Sequence, residues 1–175
     1  MFPLLVAFDL DGTLWERRHG KLQLYPGIQK VLRNSVSEGM TIAICSNHND
    51  PDAAKKFFKE TRIEIQGRRR TLMSLVEPGC FIVRPGDKRK HFKEIKRQTL
   101  MDYKDMIFFD DDSKHRNVKR KGVTFVKVGD EGLDSSTFQR GLYKHHSNYD
   151  NSSSSSEDEG SSSSEESGSS SSDDD

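Results

Sequence analysis

The sequence has little cysteine, no long apolar run and no leader-like start, and each absence excludes a class of protein. Its two cysteines, Cys45 and Cys80, lie among apolar residues and lack the spacing of a disulfide framework or a zinc site. No apolar run approaches the ~18 residues that span a bilayer, and the first residues lack a basic segment and a cleavage site. We therefore expect a cytoplasmic protein with no membrane partner, in which Arg68–Arg70 and Lys114–Lys121 are candidate nuclear signals.

Basic residues are missing from the C-terminal part of the chain. The formal net charge is zero, but from Asp150 onward there are nine acidic residues and no Lys or Arg, so residues 1–149 carry the opposite excess. Residues 151–175 include fourteen serines and almost nothing apolar to bury. We predict a folded domain over residues 1–146 and a disordered acidic tail over residues 147–175. Serines beside acidic clusters are typical of sites for acidophilic kinases, although a passive, solubilising tail has the same composition.

Five short apolar runs alternate with helical patterns along the rest of the chain. The runs predict buried strands over Leu4–Phe8, Thr41–Cys45, Cys80–Val83, Asp105–Phe109 and Val123–Val128. Apolar spacing and N-terminal caps predict helices that begin at Pro26, Pro51 and Lys88, shorter helices over Thr71–Val76, Ser113–Lys121 and Thr137–Tyr143, and a loop or small flap over Leu14–Tyr25. This alternation predicts an α/β domain, a doubly wound parallel five-stranded sheet with helices on both faces.

The first apolar run ends in two carboxylates, Asp9 and Asp11, followed by Gly12. Residues i and i+2 of a strand lie on the same side, so the two charges would stand close together at the end of a buried strand. Such a pair is unfavourable unless a cation or a shared proton relieves it. The pair therefore predicts a cation, or a proton held between carboxylates, at the end of the first strand.

Polar residues also mark the ends of three further strands, and the carboxyl ends of parallel strands form one edge of a sheet, where ligands bind. Together these ends supply carboxylates, a hydroxyl, an amide and an ammonium: Asp9, Asp11, Ser46, Asn47, Lys88, Asp110 and Asp111. Clustered carboxylates with few nitrogen or sulfur ligands suit a hard cation, usually Mg²⁺. A cation beside an ammonium and a hydroxyl suits a phosphoryl group, whose transfer requires charge to be neutralised on its oxygens.

The same residues carry a resemblance to a known family. The sequence resembles the haloacid dehalogenase (HAD) superfamily, and within it the magnesium-dependent, acid phosphatase-like branch, through FDLDGTLW, LYPGIQKVL, GDKRKHF, MIFFDDD and GVTFVKV. The resemblance covers about Leu4–Val128 and implies a HAD/Rossmann-like fold. It also implies a Mg²⁺-dependent phosphomonoester hydrolase that acts through an aspartyl-phosphate intermediate.

The resemblance implies a role for each residue at the predicted edge. Asp9 would be the nucleophile, and Asp11 would protonate the leaving oxygen and then activate water. Ser46 and Asn47 would bind the phosphoryl group, and Lys88 would hold the charges of nucleophile and phosphate together.

The resemblance also implies a metal site. Asp9, Asp110 and the backbone carbonyl of Asp11 would ligate Mg²⁺, and Asp111 would either ligate it or support the ligands. Lys90 is a rival for the part given to Lys88, since the two lie close in sequence. Lys88 is preferred because it follows Pro85-Gly86-Asp87 directly, where a helix would begin.

Relatives in this superfamily often carry a cap domain over the site, but both insertion points are short here. Leu14–Tyr25 and Arg84–Asp87 cannot fold alone, so we expect a capless, open site. Capless members of the branch act on phosphotyrosine-like groups and on sugar phosphates, and the partner expected here is a phosphorylated small molecule or phosphopeptide. The basic clusters Arg68–Arg70 and Lys114–Lys121 suggest, as an alternative, a nucleic-acid 3′-phosphatase or a phosphoprotein phosphatase of the same fold. A non-catalytic adaptor, with the tail as its binding arm, is a further alternative.

Other candidate side chains are assigned supporting parts. His48, His91 and His115 have no paired spacing that suggests a metal site, and they are interpreted as surface groups or supports for the ligands. Trp15 is expected to pack over the flap or to line the mouth of the site.

Overall fold

Nine strands and four α-helices make up residues 2–153, the part of the chain that the computed structural model describes. The strands are β1 (Leu5–Phe8), β2 (Trp15–Arg18), β3 (Lys21–Leu24), β4 (Thr41–Ser46), β5 (Arg62–Ile65), β6 (Arg68–Thr71), β7 (Val76–Val83), β8 (Met106–Asp110) and β9 (Thr124–Lys127). The helices are α1 (Ile28–Ser37), α2 (Pro51–Glu60), α3 (Lys88–Thr99) and α4 (Ser135–Ser153), with 3-10 turns over Met73–Leu75, Tyr103–Asp105 and Ser113–Lys121.

The central sheet is parallel and has the strand order β7-β4-β1-β8-β9. Strand β1 lies in the middle, where Leu5 pairs with Thr41 of β4 on one side and with Met106 of β8 on the other. All four residues of β1 are buried, as expected of a strand covered on both faces. The predicted doubly wound, five-stranded α/β fold is confirmed.

Alternate residues of the central strands enter two separate apolar cores. Val6 and Phe8 contribute to the core that includes residues of α1 and α4, such as Val31 and Phe138. Leu5 and Ala7 contribute to the other core, with Phe92 and Ile95 of α3. The sheet thus keeps helices on both faces, because successive side chains of a strand point in opposite directions.

Two antiparallel hairpins lie outside the central sheet. Strands β2 and β3 occupy the segment expected to be a loop or small flap, and β5 with β6 forms a hairpin that the sequence patterns did not predict. Both hairpins turn at a residue followed by glycine, His19-Gly20 and Gln66-Gly67, all at positive φ. Two-residue turns of this kind match the twist of the flanking strands.

Most predicted elements are recovered with bounds shifted by one or two residues, and three differ more clearly in extent or type. Strand β7 begins at Val76 rather than Cys80, because it lies at the sheet edge, where a register irregularity accommodates Pro78 and Gly79. Ser113–Lys121 forms 3-10 turns rather than an α-helix, since Val118 is its one buried residue and no apolar stripe supports an α-helix. The predicted helix over Thr71–Val76 is the short 3-10 turn before β7.

The last helix is longer than Thr137–Tyr143. Helix α4 continues past residue 146, where the domain boundary is predicted, to Ser153. The remainder of the predicted disordered tail, residues 154–175, lies outside the described residues, so the boundary and the tail stay predictions. Within residues 2–153, no helix combines the length and apolarity needed to cross a bilayer.

Candidate active site

Three carboxylates meet at the carboxyl edge of the sheet. Asp9 follows β1, Asp110 ends β8 and Asp111 follows it, and one oxygen from each lies within 4.8 Å of the others. We call these three residues the carboxylate cluster. The side chain of Asp110 is fully buried and that of Asp9 is 10% exposed, so the cluster brings like charges together away from water.

Lys88 is the cation that the fold places against this cluster. The side chain of Asp87 caps α3 by accepting from the backbone N–H of Arg89, so Lys88 is the first residue of the helix. The Lys88 Nζ donates to Asp9 Oδ1 at 2.9 Å and to the backbone carbonyl of Cys45, and it lies 3.5 Å from Asp110 Oδ2. Lys90, the rival candidate, is exposed. The structure thus brings Lys88, and not Lys90, to the carboxylates.

Burial sets the protonation behaviour of the cluster. Burial raises the pKa of Asp9 to about 7, with Lys88 opposing the rise and Asp110 adding to it. Burial and the charge of Asp110 also raise the pKa of Asp111. Burial works against the Lys88 ammonium, but the Cys45 thiol and the carboxylates beside it hold its pKa above the ordinary value. The cluster is therefore short of positive charge, as expected of a site that binds a cation.

Asp11 lies outside the cluster and faces solvent. Its side chain is 58% exposed; Oδ1 accepts from Trp15 Nε1 at 2.9 Å, and Oδ2 lies 2.7 Å from His48 Nδ1. Trp15 itself is fully buried, so it fixes Asp11 from beneath. The side chain of Asp11 is thus absent from the candidate metal cluster, and its exposed position fits the part expected of it in proton transfer. The expected metal ligand from Asp11 is its backbone carbonyl, which the position of the side chain does not affect.

Gly12 follows Asp11 and leaves room for the Asp111 carboxylate, because it has no side chain. Its φ is +71°, and a Cβ at this position would overlap the carboxylate of Asp111. A glycine is therefore required here both for its backbone conformation and for the close approach of Asp111.

Ser46 ends β4 and Asn47 follows it, at the same carboxyl edge of the sheet as the cluster. Ser46 is buried, and its Oγ accepts from the backbone N–H of His48 at 3.1 Å. The Oδ1 of Asn47 is buried and, within the part of the chain that the structure describes, has no hydrogen-bond partner. An unpartnered polar atom at this edge is available to a ligand or its water.

Sequence reasoning gave two histidines only a general supporting part, and the structure gives them specific contacts. His48 contacts Asp11, and His115 Nδ1 lies 2.6 Å from Asp110 Oδ2. The other carboxylate oxygen of Asp110, Oδ1, accepts from the backbone N–H of Asp112. The available signal was position, since His48 follows Ser46 by two residues and His115 lies on the segment after β8. His91 is buried against Cys45 and reaches none of the carboxylates by a hydrogen bond.

The donor set fits a hard divalent cation. Asp9, Asp110 and Asp111 offer carboxylate oxygens alone, and Mg²⁺ is held in proteins by one or two carboxylates, with water and phosphate oxygens completing its coordination. A softer metal would require thiolate or imidazole ligands. Among residues 2–153, the residues present therefore fit the predicted Mg²⁺.

The edge is not covered by an inserted domain within the described residues. The segment between β1 and α1 holds only the hairpin of β2 and β3, and β7 is joined to α3 by Arg84–Asp87. These lengths agree with the expected capless architecture.

This combination of a parallel sheet, a carboxylate cluster and a buried lysine defines the fold and site of a HAD-like hydrolase. Similarity to known proteins agrees with that class. A protein-family model described as acid phosphatase matches residues 16–148. A HAD-like hydrolase superfamily protein of Schizosaccharomyces pombe is 30% identical over 162 residues, covering 78% of this chain and 92% of the relative. Magnesium-dependent phosphatase 1 of Homo sapiens is 28% identical over 165 residues, covering 80% of this chain and 85% of that relative.

Solved structures show the same fold. The N-terminal part of a Bacteroides fragilis protein, containing a phosphatase domain in complex with Mg, aligns with a TM-score of 0.61 at 22% identity, over 82% of this chain and 40% of that one. A HAD-superfamily hydrolase of Ehrlichia chaffeensis aligns with a TM-score of 0.60 at 12% identity, over 85% of this chain and 98% of that one. The chain belongs to the acid phosphatase family. The predicted resemblance is confirmed, and the predicted enzyme class and cofactor, a phosphatase that uses Mg²⁺, agree with the relatives and with the carboxylate cluster.

Proposed function

We propose that this protein is a magnesium-dependent phosphomonoesterase in which Asp9 accepts the phosphoryl group. The observation that carries the proposal is the pairing of Asp9 with Lys88 inside a cluster of three carboxylates, with Asp11 held apart from it. The arrangement separates a buried nucleophile from an exposed proton donor two residues along the chain. Two carboxylates in different surroundings are suited to different parts in one reaction.

In the first step, an Asp9 carboxylate oxygen forms a bond to phosphorus and the bond from phosphorus to the ester oxygen breaks. Lys88 steadies the negative charge of Asp9 and of the incoming phosphoryl group. Asp11 gives a proton to the leaving oxygen, so the alcohol departs neutral. Trp15 and His48 keep the Asp11 carboxyl in place for this transfer.

In the second step, water hydrolyses the aspartyl-phosphate on Asp9. Asp11, now ionised, takes a proton from the water as it attacks phosphorus, and inorganic phosphate leaves with Asp9 restored. Ser46 and Asn47 bind phosphoryl oxygens in both steps. Mg²⁺ would be held by Asp9, Asp110 and the backbone carbonyl of Asp11, with Asp111 as a further ligand or as a support for the ligands, and it would neutralise charge on the phosphate oxygens.

The proposed substrates are phosphotyrosine-like compounds or sugar phosphates. The short connections at both cap positions support this, because an open edge admits a substrate that extends into solvent. The relative named magnesium-dependent phosphatase 1 supports the reaction type.

Hydrolysis of p-nitrophenyl phosphate with and without Mg²⁺ tests the proposal. Asp9→Asn removes the nucleophile and is expected to lower kcat by about 10³-fold or more. Chelation of Mg²⁺ should have a comparable effect on the unmodified protein. Asp102→Asn is the matched control, because Asp102 is an exposed carboxylate paired with Lys96 outside the site. Full activity in Asp9→Asn, with Asp102→Asn also active, would overturn the proposal.

A second candidate is the same chemistry on a nucleic-acid 3′-phosphate or a phosphoprotein. It is favoured by exposed basic residues of α3 beside the site, such as Lys90 and Lys93. Turnover of an end-phosphorylated oligonucleotide would then fall steeply with salt, since bound backbone phosphates release counterions. Turnover that is indifferent to salt would exclude it. The adaptor alternative requires no turnover at all, so activity lost in Asp9→Asn would also exclude that alternative.

A further inference from the structure

Helix α3 and the 3-10 segment Ser113–Lys121 lie side by side and expose many cations. One groove of about 390 Å³ is lined by both elements, and a neighbouring groove of about 560 Å³ runs along α3 to Tyr103. Lys90 and Lys93 line both grooves, so the two form one continuous surface. We call this surface the basic face and define it by Lys90, Lys93, Arg97, Lys119, Arg120 and Lys121.

The positive charge of the basic face is not balanced by its surroundings. Among residues 2–153, none of its six cations lies within ion-pair distance of a carboxylate. The grooves also contain two carboxylates, Asp87 and Glu94, but these are paired with Arg89 and Arg84. Two further acidic groups nearby are likewise engaged, Asp102 with Lys96 and Asp112 with Lys114. An exposed surface with this excess of one charge attracts a polyanion.

The end of α4 brings the C-terminal segment of the chain to this surface. The Tyr149 ring lies 5.4 Å from Lys104 Nζ, and Lys104 follows Tyr103 directly. The Tyr103 ring in turn lies 5.4 Å from Lys121 Nζ of the basic face. Although α4 packs on the face of the sheet opposite α3, its end therefore lies next to Lys104 and Tyr103, at the border of the basic face.

The segment that follows has the charge and the length to cover the basic face. Residues 154–175 contain eight acidic residues and no Lys or Arg. Fully extended, these 22 residues reach about 70 Å, whereas the 12 residues of α3 span about 18 Å. A tether of this kind gives an effective concentration on the order of millimolar, which favours the tail over a free polyanion.

We propose that residues 154–175 dock on the basic face of the same chain and compete there with other polyanions. The contact is electrostatic, and it masks the basic face from nucleic acid and from acidic proteins. Phosphorylation of the serines between the acidic residues would strengthen it, since each phosphate adds about −1.5 to −2 charges. The proposal goes beyond the phosphatase reaction and does not depend on it.

Lysine acetylation of the full chain measures the docking directly. The comparison variant replaces the eight tail carboxylates by amides: Glu157→Gln, Asp158→Asn, Glu159→Gln, Glu165→Gln, Glu166→Gln, Asp173→Asn, Asp174→Asn and Asp175→Asn. In low salt, the basic-face lysines of the unmodified chain should acetylate about threefold or more slowly than those of the variant, and 1 M salt should abolish the difference because charges are then screened beyond about 3 Å. Lys30 of α1 and Lys59 of α2 are the internal controls and should acetylate equally in both proteins.

Three results would overturn the proposal. One is equal acetylation of the basic-face lysines in the two proteins, and another is equal protection of Lys30 and Lys59. The third is protection that disappears on dilution, which would show the tail on a second copy. Competition is checked with a single-stranded oligonucleotide, which should bind the variant about tenfold more tightly. Equal affinities would contradict the competition.

Discussion

In the carboxylate cluster Asp110 is fully buried and its neighbour Lys88 is 1% exposed, whereas Lys90, two residues further along α3, lies in solvent. Both the cluster and the basic face contain many charged groups, but the charges are buried in the cluster and exposed to solvent on the basic face. A buried charge must be paired or hydrogen-bonded, so the loss of one partner is costly. An exposed charge is solvated and screened, so one residue of the basic face matters little and only their sum attracts a partner. The comparison predicts that single substitutions have large effects at the cluster, and that only the summed charge has an effect at the basic face.

The largest effect is expected when the buried cation is removed. Lys88→Met leaves Asp9 and Asp110 without their ammonium partner, so the free energy of unfolding should fall by about 3–5 kcal/mol. Turnover should be lost with it. Lys90→Met, the matched control on the same helix, should change the unfolding free energy by less than about 0.5 kcal/mol. Urea unfolding of both variants provides the measurement, and equal effects would contradict the distinction between buried and exposed lysines.

The next effect concerns the space beside Asp111. Gly12→Ala places a methyl group against the Asp111 carboxylate at a positive φ, so a loss of about 3 kcal/mol in stability is expected, together with weaker Mg²⁺ binding. Gly20→Ala has a similar φ but nothing within 4 Å of the added Cβ, so only about 1 kcal/mol is expected. Thermal unfolding and a Mg²⁺ titration by calorimetry measure both. Normal Mg²⁺ affinity in Gly12→Ala would argue against a metal at this cluster.

A smaller effect is expected from His91, which is buried against Cys45. Burial, with Lys88 adding to it, lowers the pKa of His91 to about 4. The unfolded chain, with a pKa near 6.5, then binds more protons than the folded one, so stability falls as the pH drops from about 6.5 to about 4. The loss is at most about 3 kcal/mol.

His91→Leu should remove that part of the acid sensitivity. The difference in unfolding free energy between variant and wild type is measured by urea unfolding at several pH values between 7 and 4. Parallel pH profiles for the two proteins would contradict a buried, neutral His91.

The smallest effect is expected from single cations of the basic face. Lys93→Gln or Lys119→Gln should change the unfolding free energy by less than about 0.5 kcal/mol, because both side chains are exposed and have no carboxylate partner in the described part of the chain. Urea unfolding checks this. A loss of more than about 1 kcal/mol in either variant would show that the basic face contributes to the fold.

The sequence was most informative where burial leaves a simple pattern. Strands such as β1 and β8 are covered on both faces and therefore read as continuous apolar runs ending in carboxylates. The two hairpins have no such pattern. Strand β6, for example, is mostly arginine and at most partly buried, so its charges indicated a solvated surface, and Gln66-Gly67 was the one turn signal.

The site was predictable as a set of residues but not as an arrangement. Position after the strands pointed to Asp9, Lys88 and Asp110, which the structure brings into contact, since parallel strands end at one edge. The part of Ser46 stays a prediction. It did not separate the side chain of Asp11 from the cluster, because that separation depends on Trp15 and His48, which are brought together by tertiary packing. Side-chain contacts across 37 residues of sequence, as between Asp11 and His48, leave no local signal.

The central claim is that Asp9 takes the phosphoryl group onto its own carboxylate, and chemical trapping tests it most directly. The Mg²⁺-loaded protein is quenched during turnover of p-nitrophenyl phosphate and treated with borohydride, which reduces an aspartyl-phosphate to homoserine, and the modified residue is located by mass spectrometry. We predict homoserine at position 9. Modification at Asp11, Asp110 or Asp111, or at no residue while turnover continues, would contradict the account.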